Sequence, residues 1–210
     1  MHNLKKQKDK IIKVTIKNII VAFIYCFVFL LLIHIAFGNK ISRVTNFLDL
    51  VTIKSSERVL KDINLDLTSH KLTSYPKYGE RYATIKIDRI NIELPVYFGD
   101  SYDILVYGIG HNSGSYFPGE GGSIIYLGHS NVGVFRNLPD VQIGDIIEVD
   151  TVYGQFNYKV YDAQIILETE LNKMPIQHKE EILMIYTCYP TTALGHTEQR
   201  YVLYSKRVEE

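Results

Sequence analysis

The sequence predicts a mainly β fold, a closed or nearly closed barrel, carried behind a single membrane-spanning helix. Three observations predict it. From about Tyr82 onward the chain alternates short β-branched and aromatic runs with turn residues. Between Ile19 and Phe37 lies an apolar stretch with no formal charge. Apolar residues at 46% against 22% charged give the composition of a globular chain, not of a disordered one.

The N-terminal element comes first. Residues 19–37 read IIVAFIYCFVFLLLIHIAF. As a helix this run would reach roughly 28 Å, close to the hydrocarbon thickness of a bilayer. Lys5, Lys6, Lys8, Lys10, Lys13 and Lys17 precede it, opposed only by Asp9. The bias of basic residues toward the cytoplasmic side therefore puts the N-terminus inside and everything after residue 38 outside. A cleaved signal is the competing reading, since Ala36 and Gly38 have the small side chains of a processing site. The run is longer than the usual signal core of about 7 to 15 residues, which favours an uncleaved anchor. The expected division is a basic cytoplasmic tail over 1–18, an anchor over 19–37, an extracellular stalk over 38–80 and a folded domain over 81–210.

The formal net charge is zero. With the first 37 residues carrying a net of +5, the remainder is acidic. Phosphate binding needs a clustered positive footprint on the folded part, so a nucleic-acid partner is not expected.

In the stalk, Val44, Phe47, Leu48 and Val51 are spaced as on an amphipathic helix, and Tyr75-Pro76 with Gly79 ends any such helix. The strand-like runs then follow: ATIKID, IELPVYF, SIIYLGH, DIIEVDTV, FNYKVYDAQII, EILMIYTC and RYVLYSK. Pro118-Gly119-Glu120-Gly121-Gly122 and Gly144-Asp145 separate them with turn chemistry. Glu168 to Glu181, polar and interrupted by Pro175, reads as a long connection with a helical turn.

The chain has two cysteines, Cys26 inside the apolar run and Cys188, so no disulfide framework is expected. Cys188 ends the run ILMIYT and precedes Tyr189-Pro190, where the chain must turn. A thiol there is useful as thiolate, which nearby cations favour. His129, after Gly128, also ends an apolar run, and Arg200 opens the last run twelve residues beyond the cysteine. Taken singly, each is more readily a core or ion-paired residue. Together they supply a nucleophile, a proton carrier and a fixed cation, the parts acyl transfer needs. His111, in the glycine-rich loop Gly108-Ile109-Gly110-His111-Asn112 near the same face, is the rival to His129; His178 and His196 lie in connections bordering the same end. No His, Cys, Asp and Glu set has zinc spacing, and Glu168, Glu170, Glu180 and Glu181 read as solvated loop acids, so neither metal nor cofactor is expected.

These residues resemble the sortase family from Tyr82 to Val208. The resemblance rests on five features in order: Leu94-Pro95-Val96-Tyr97, the Pro118-Gly119 turn, Gly128-His129 with Phe135-Arg136-Asn137-Leu138, the Gly144-Asp145 turn, and Thr187-Cys188 followed by Arg200. It implies an eight-stranded sortase barrel with short helices, and a cysteine transpeptidase that cleaves an LPXTG-type sorting signal between Thr and Gly. Cys188 would carry the threonyl thioester, His129 the proton for the departing and incoming amines, and Arg200 the oxyanion or the substrate backbone. The Tyr189 backbone N–H is a further donor on geometric grounds. The implied partners are sorting-signal proteins and an amine of a peptidoglycan precursor, at the membrane of a Gram-positive cell.

Cys188-Tyr189-Pro190 behind a single N-terminal anchor resembles class D, although Thr191 stands where that class often has an aromatic. Two alternatives stay open, and a third is disfavoured. A pilin-type enzyme would join subunits, and a non-catalytic barrel would only bind. An L,D-transpeptidase would place Arg almost directly after the nucleophile, and here Arg200 is distant.

Overall fold

Turn residues and period-two patterning divide residues 81–208 into eight strands that close on themselves. The computed structural model describes residues 15–29, 31, 63–193 and 195–208. A small hairpin, β1 (Leu65–Asp66) and β2 (Lys71–Leu72), precedes the barrel. The barrel strands are β3 (Arg81–Ile87), β4 (Ile92–Phe98), β5 (Ile109–His111), β6 (Ser123–Leu127), β7 (Ile146–Thr151), β8 (Gly154–Leu167), β9 (Ile182–Tyr189) and β10 (Gln199–Val208). Their order around the barrel is β10-β8-β7-β3-β4-β5-β6-β9, and β9 pairs back to β10. Two pairs, β4 with β5 and β6 with β9, are parallel; the others are antiparallel.

Seven of these strands coincide with the runs read in the sequence. The eighth, β5, falls in the stretch read as a glycine-rich loop. Glycine is depleted from strands, and Gly108 and Gly110 conceal this one. A Cβ at Gly110 would lie 2.6 Å from the Gly99 carbonyl oxygen, so only glycine allows the approach. The connection from Glu168 to Glu181 carries its expected helical turn, a 3-10 turn at Leu171–Lys173.

Side chains alternate across each strand, and the barrel sorts them into two apolar groups. Ile124, Tyr126, Leu183, Ile185 and Leu203 point inward into the main core. Ile125, Met184, Val202 and Tyr204 point outward, and with Ile166 form a second cluster beneath Met174 of the long connection. The outer face of β6, β9 and β10 is therefore a covered surface and not a solvated one.

Burying polar groups in the main core requires partners for them. His111 is fully buried; its Nδ1 lies 2.8 Å from Tyr82 Oη and its Nε2 2.9 Å from Ser115 Oγ. Tyr82 in turn meets Tyr126 Oη at 2.8 Å. Glu181 accepts from Gly119 N and Gly121 N, both at 3.0 Å, and from Tyr158 Oη at 2.7 Å, with Arg207 beside it. Gly119 and Gly121 have φ of 90° and 79°, left-handed values that aim both N–H groups at one carboxylate.

Residues 63–80, assigned from sequence to the stalk, pack on the barrel: Ile63 and Leu72 are 5% and 6% exposed within the main core. The remainder of the expected stalk, with Val44, Phe47, Leu48 and Val51, lies outside the described residues.

A separate compact unit holds the N-terminal segment, where residues 15–29 form α1. Its apolar side chains stand open on all sides, with Phe23 and Tyr25 exposed by 74% and 73%. Part of the expected 19–37 span, namely 30 and 32–37, lies outside the described residues. Among the described residues, no helix is long and apolar enough to cross a membrane.

Candidate active site

Three neighbouring strands carry the three expected residues to one level. Cys188 is the penultimate residue of β9 and Arg200 the second of β10, and they are direct partners in the ladder. On the other side of β9, Leu127 of β6 pairs with Tyr186, two residues before the cysteine, and His129 stands two residues beyond Leu127. The pairing runs past the strand end: Gly128 N donates to Tyr186 O at 3.3 Å, and Thr187 Oγ1 donates to Gly128 O at 2.8 Å. Cys188 thus stands between His129 and Arg200, with neighbouring strands about 4.8 Å apart.

Parity places them on one face. Cys188 follows Met184 and Tyr186 on the outward series of β9, Arg200 belongs with Val202 and Tyr204 on β10, and Ile125 and Leu127 lead to His129 from β6. The half-buried thiol sits at the end of the second apolar cluster, on strands fixed from both sides.

His129 is held by its surroundings. A Cβ on Gly128 would meet Phe135 Cδ2 at 2.7 Å and Ile109 Cδ1 at 2.9 Å, so glycine lets the strand end sink against the core. Phe135 N donates to the His129 carbonyl at 3.1 Å, and Phe135 and Leu138 are fully buried anchors for that returning loop. Tyr102, from the short helix α2 (Tyr102–Leu105), sets its ring edge-on to His129 with centroids 5.5 Å apart.

The Arg200 side chain is 15% exposed. Its Nη2 donates to Glu168 Oε2, and its Nη1 donates to the carbonyls of Thr197 and Gln199, the latter at 2.8 Å. Beside it, burial raises the Tyr186 phenol; the Arg200 guanidinium opposes that shift, while Asp100 and Cys188 reinforce it.

The other histidines separate clearly. His111 is a core residue inside the barrel, not a loop residue at the site, because β5 carries it inward. Burial holds it neutral, down to about 3. His178 stacks on Tyr116 with centroids 5.0 Å apart and lies 2.8 Å from the Glu120 carbonyl. His196 is 3.1 Å from Glu168 Oε1. The four loop acids are engaged within the chain: Glu168 with Arg200, Glu170 with Lys173 at 2.9 Å, Glu180 with Lys206 at 2.9 Å and Glu181 as above. Among the described residues no cluster of His, Cys, Asp and Glu is arranged to hold a metal ion.

Sequence reasoning missed Glu168 as a partner of Arg200, Tyr102 as a neighbour of His129, and Thr187 as the clamp between β9 and Gly128. The last was within reach, since it adjoins the cysteine. The first two depend on register and on the path of α2, which residue types do not encode.

Further along the same face a cavity of about 290 Å³ opens, floored by Ile182, Met184 and Tyr204 and walled by Asn172, Lys173 and Pro175 of the long connection. Met184 precedes Cys188 by four residues, a reach of about 14 Å along a strand. A thiol, an imidazole and a guanidinium at neighbouring strand ends, with a partly apolar hollow further along the same face, are groups able to serve attack on an extended peptide carbonyl.

Comparison with known proteins gives the same direction. The chain matches the sortase domain over residues 85–208. It is 31% identical over 189 residues to sortase D of Bacillus subtilis (strain 168), spanning 83% of this chain and 95% of that protein. Among solved structures, the sortase D5 transpeptidase of Clostridium perfringens superposes with a TM-score of 0.58 at 27% identity, covering 64% of this chain and 83% of that one. Streptococcus agalactiae sortase C1 gives 0.58 at 26%, covering 62% and 69%. Corynebacterium diphtheriae sortase A gives 0.57 at 27%, covering 62% of each. With a cysteine and an arginine paired across one ladder and a domain match over more than half its length, the chain belongs to the sortase family of transpeptidases.

Proposed function

We propose that Cys188 is the nucleophile, His129 the proton carrier and Arg200 the oxyanion cation of an LPXTG-type transpeptidation. The observation that carries this reading is the placement of Cys188 between Arg200, its direct ladder partner, and His129 at the end of the adjoining β6. The Cys188 thiolate attacks the threonyl carbonyl, and Arg200 lies beside the oxyanion that develops. Collapse breaks the Thr–Gly C–N bond, His129 gives its proton to the glycine nitrogen, and the acyl group remains as a thioester. An acceptor amine then attacks the thioester carbonyl, passes a proton to His129 and expels the Cys188 thiolate. An amine of a cell-wall precursor is the acceptor this reading assigns. The hollow over Ile182, Met184 and Tyr204 suits the peptide upstream of the cleaved bond.

The test is incubation of the full-length chain, in detergent, with a quenched LPXTG-type peptide library and an amine acceptor. The expected result is a covalent acyl-enzyme by mass spectrometry and an amine-linked product, both lost in Cys188→Ala. No adduct from the wild type, or full turnover by Cys188→Ala, overturns the reading.

We infer as well that residues 19–37 anchor the chain with the barrel outside the cell. The support is the uncharged run of the sequence and the lysines before it. The chain should stay in the membrane fraction through an alkaline carbonate wash; its release into the wash would end this inference.

A further inference from the structure

Glu168 follows the last residue of β8, on the side of β10 away from Cys188. Ile166 of β8 pairs with Arg200, and Leu167 with Gln199, so Glu168 stands two residues past the partner of the arginine, on the same side of the sheet. Its own backbone is fixed there, since Glu168 N donates to the Glu198 carbonyl at 2.8 Å. Both carboxylate oxygens face cationic or ring-nitrogen groups, Oε2 taking Arg200 Nη2 and Oε1 lying 3.1 Å from His196 Nε2. On the guanidinium, Nη1 is taken by the carbonyls of Thr197 and Gln199.

Arginine has a long, rotamer-rich side chain, and a cation that must meet an oxyanion is effective only if it is oriented before the charge forms. A carboxylate fixed just past the end of the neighbouring strand, on the side of β10 away from Cys188, supplies that orientation. Glu168 is 35% exposed, and a pair at such a surface contributes little to global stability. Its value lies in geometry.

We propose that Glu168 is a positioning residue that acts through Arg200, holding the guanidinium in the plane from which it serves the carbonyl attacked by Cys188. This rests on the reading of Arg200 as the oxyanion cation. Residues that orient the ligands of a metal typically change activity by about 10- to 100-fold when removed, and the same scale is expected for one that orients a functional cation.

Two measurements on the full-length chain in detergent test it. In single-turnover acylation with an LPXTG-type peptide, Glu168→Ala should lower the acylation rate by about 100-fold and Glu168→Gln, which keeps an acceptor oxygen, by about 10-fold. The peptide concentration at half-maximal rate should stay within about twofold of wild type, because the ground-state contacts remain. Separately, arginine-selective ¹⁵N NMR should show slow rotation of the Arg200 guanidinium in wild type, with the signal assigned by Arg200→Lys, and averaging of its terminal nitrogens in Glu168→Ala. The NMR experiment needs no turnover, so it reports on the hold of Glu168 over Arg200 even if the transpeptidase reading fails. A freely rotating guanidinium in wild type overturns the proposal. So does wild-type acylation by Glu168→Ala, or a rate loss accompanied by an equal loss of thermal stability.

Discussion

Arg200 faces Cys188 across the β9–β10 ladder as its direct partner, on the outward side of the barrel. Both are fixed by backbone hydrogen bonding, so their separation is set by strand spacing and not by loop conformation.

Replacing that arginine tests how much of the chemistry depends on a planar, oriented cation. Arg200→Lys keeps the charge but loses the fork that reaches Glu168 and the loop carbonyls together. Acylation by an LPXTG-type peptide should fall about 100-fold, the scale on which removal of one oxyanion donor acts. Stopped-flow release of the quenched fluorophore measures it; a loss under threefold would contradict the role assigned to Arg200.

Gly128→Ala tests the seating of His129. The added Cβ would sit 2.7 Å from Phe135 Cδ2 and 2.9 Å from Ile109 Cδ1, both in the packed core. Overpacking of this kind costs about 1–3 kcal/mol, which urea denaturation resolves. Activity should fall further than stability, because the histidine moves with the strand end.

The buried His111 makes stability depend on pH. Its folded-state value lies at about 3, below the ordinary 6.5, because burial disfavours the cation. The unfolded chain binds this proton between those values and the folded chain does not, so stability is complete above pH 6.5 and is lost as pH falls below it. From this group alone, stability at pH 5 should be about 2 kcal/mol lower than at pH 7.5. Urea midpoints at the two pH values measure the drop, and His111→Gln should remove that share of it.

Glu181 predicts a structural loss without direct chemistry. It is buried and accepts from two backbone N–H groups and a phenol beside Arg207. Glu181→Ala strands those donors and should cost about 3 kcal/mol by denaturant melting.

Much of the barrel was legible because its strands are β-branched and bounded by glycine turns; seven runs became seven strands. β5 was hidden because the features that make it fit, Gly108 and Gly110, are those that argue against a strand. Cys188, His129 and Arg200 were legible as strand-end residues in a family order, and the β9–β10 ladder sets Cys188 opposite Arg200. His111 misled because its glycine neighbours suggest a loop while its ring is locked among Tyr82, Ser115 and Phe117. Glu168 was read as a solvated acid, since only the β8–β10 register places it beside Arg200.

The parallel pairing of β6 with β9 has a bearing on when His129 and Cys188 come together. His129 and Cys188 are 59 residues apart, and a parallel pair cannot form as a local hairpin. Closure of so long a loop costs more chain entropy than the local pairings of β7 with β8 and β9 with β10, so it is expected to follow them. A chain still being made, or held unfolded, has the cysteine without the histidine at its side. The meeting of the two residues is thereby tied to completion of the fold.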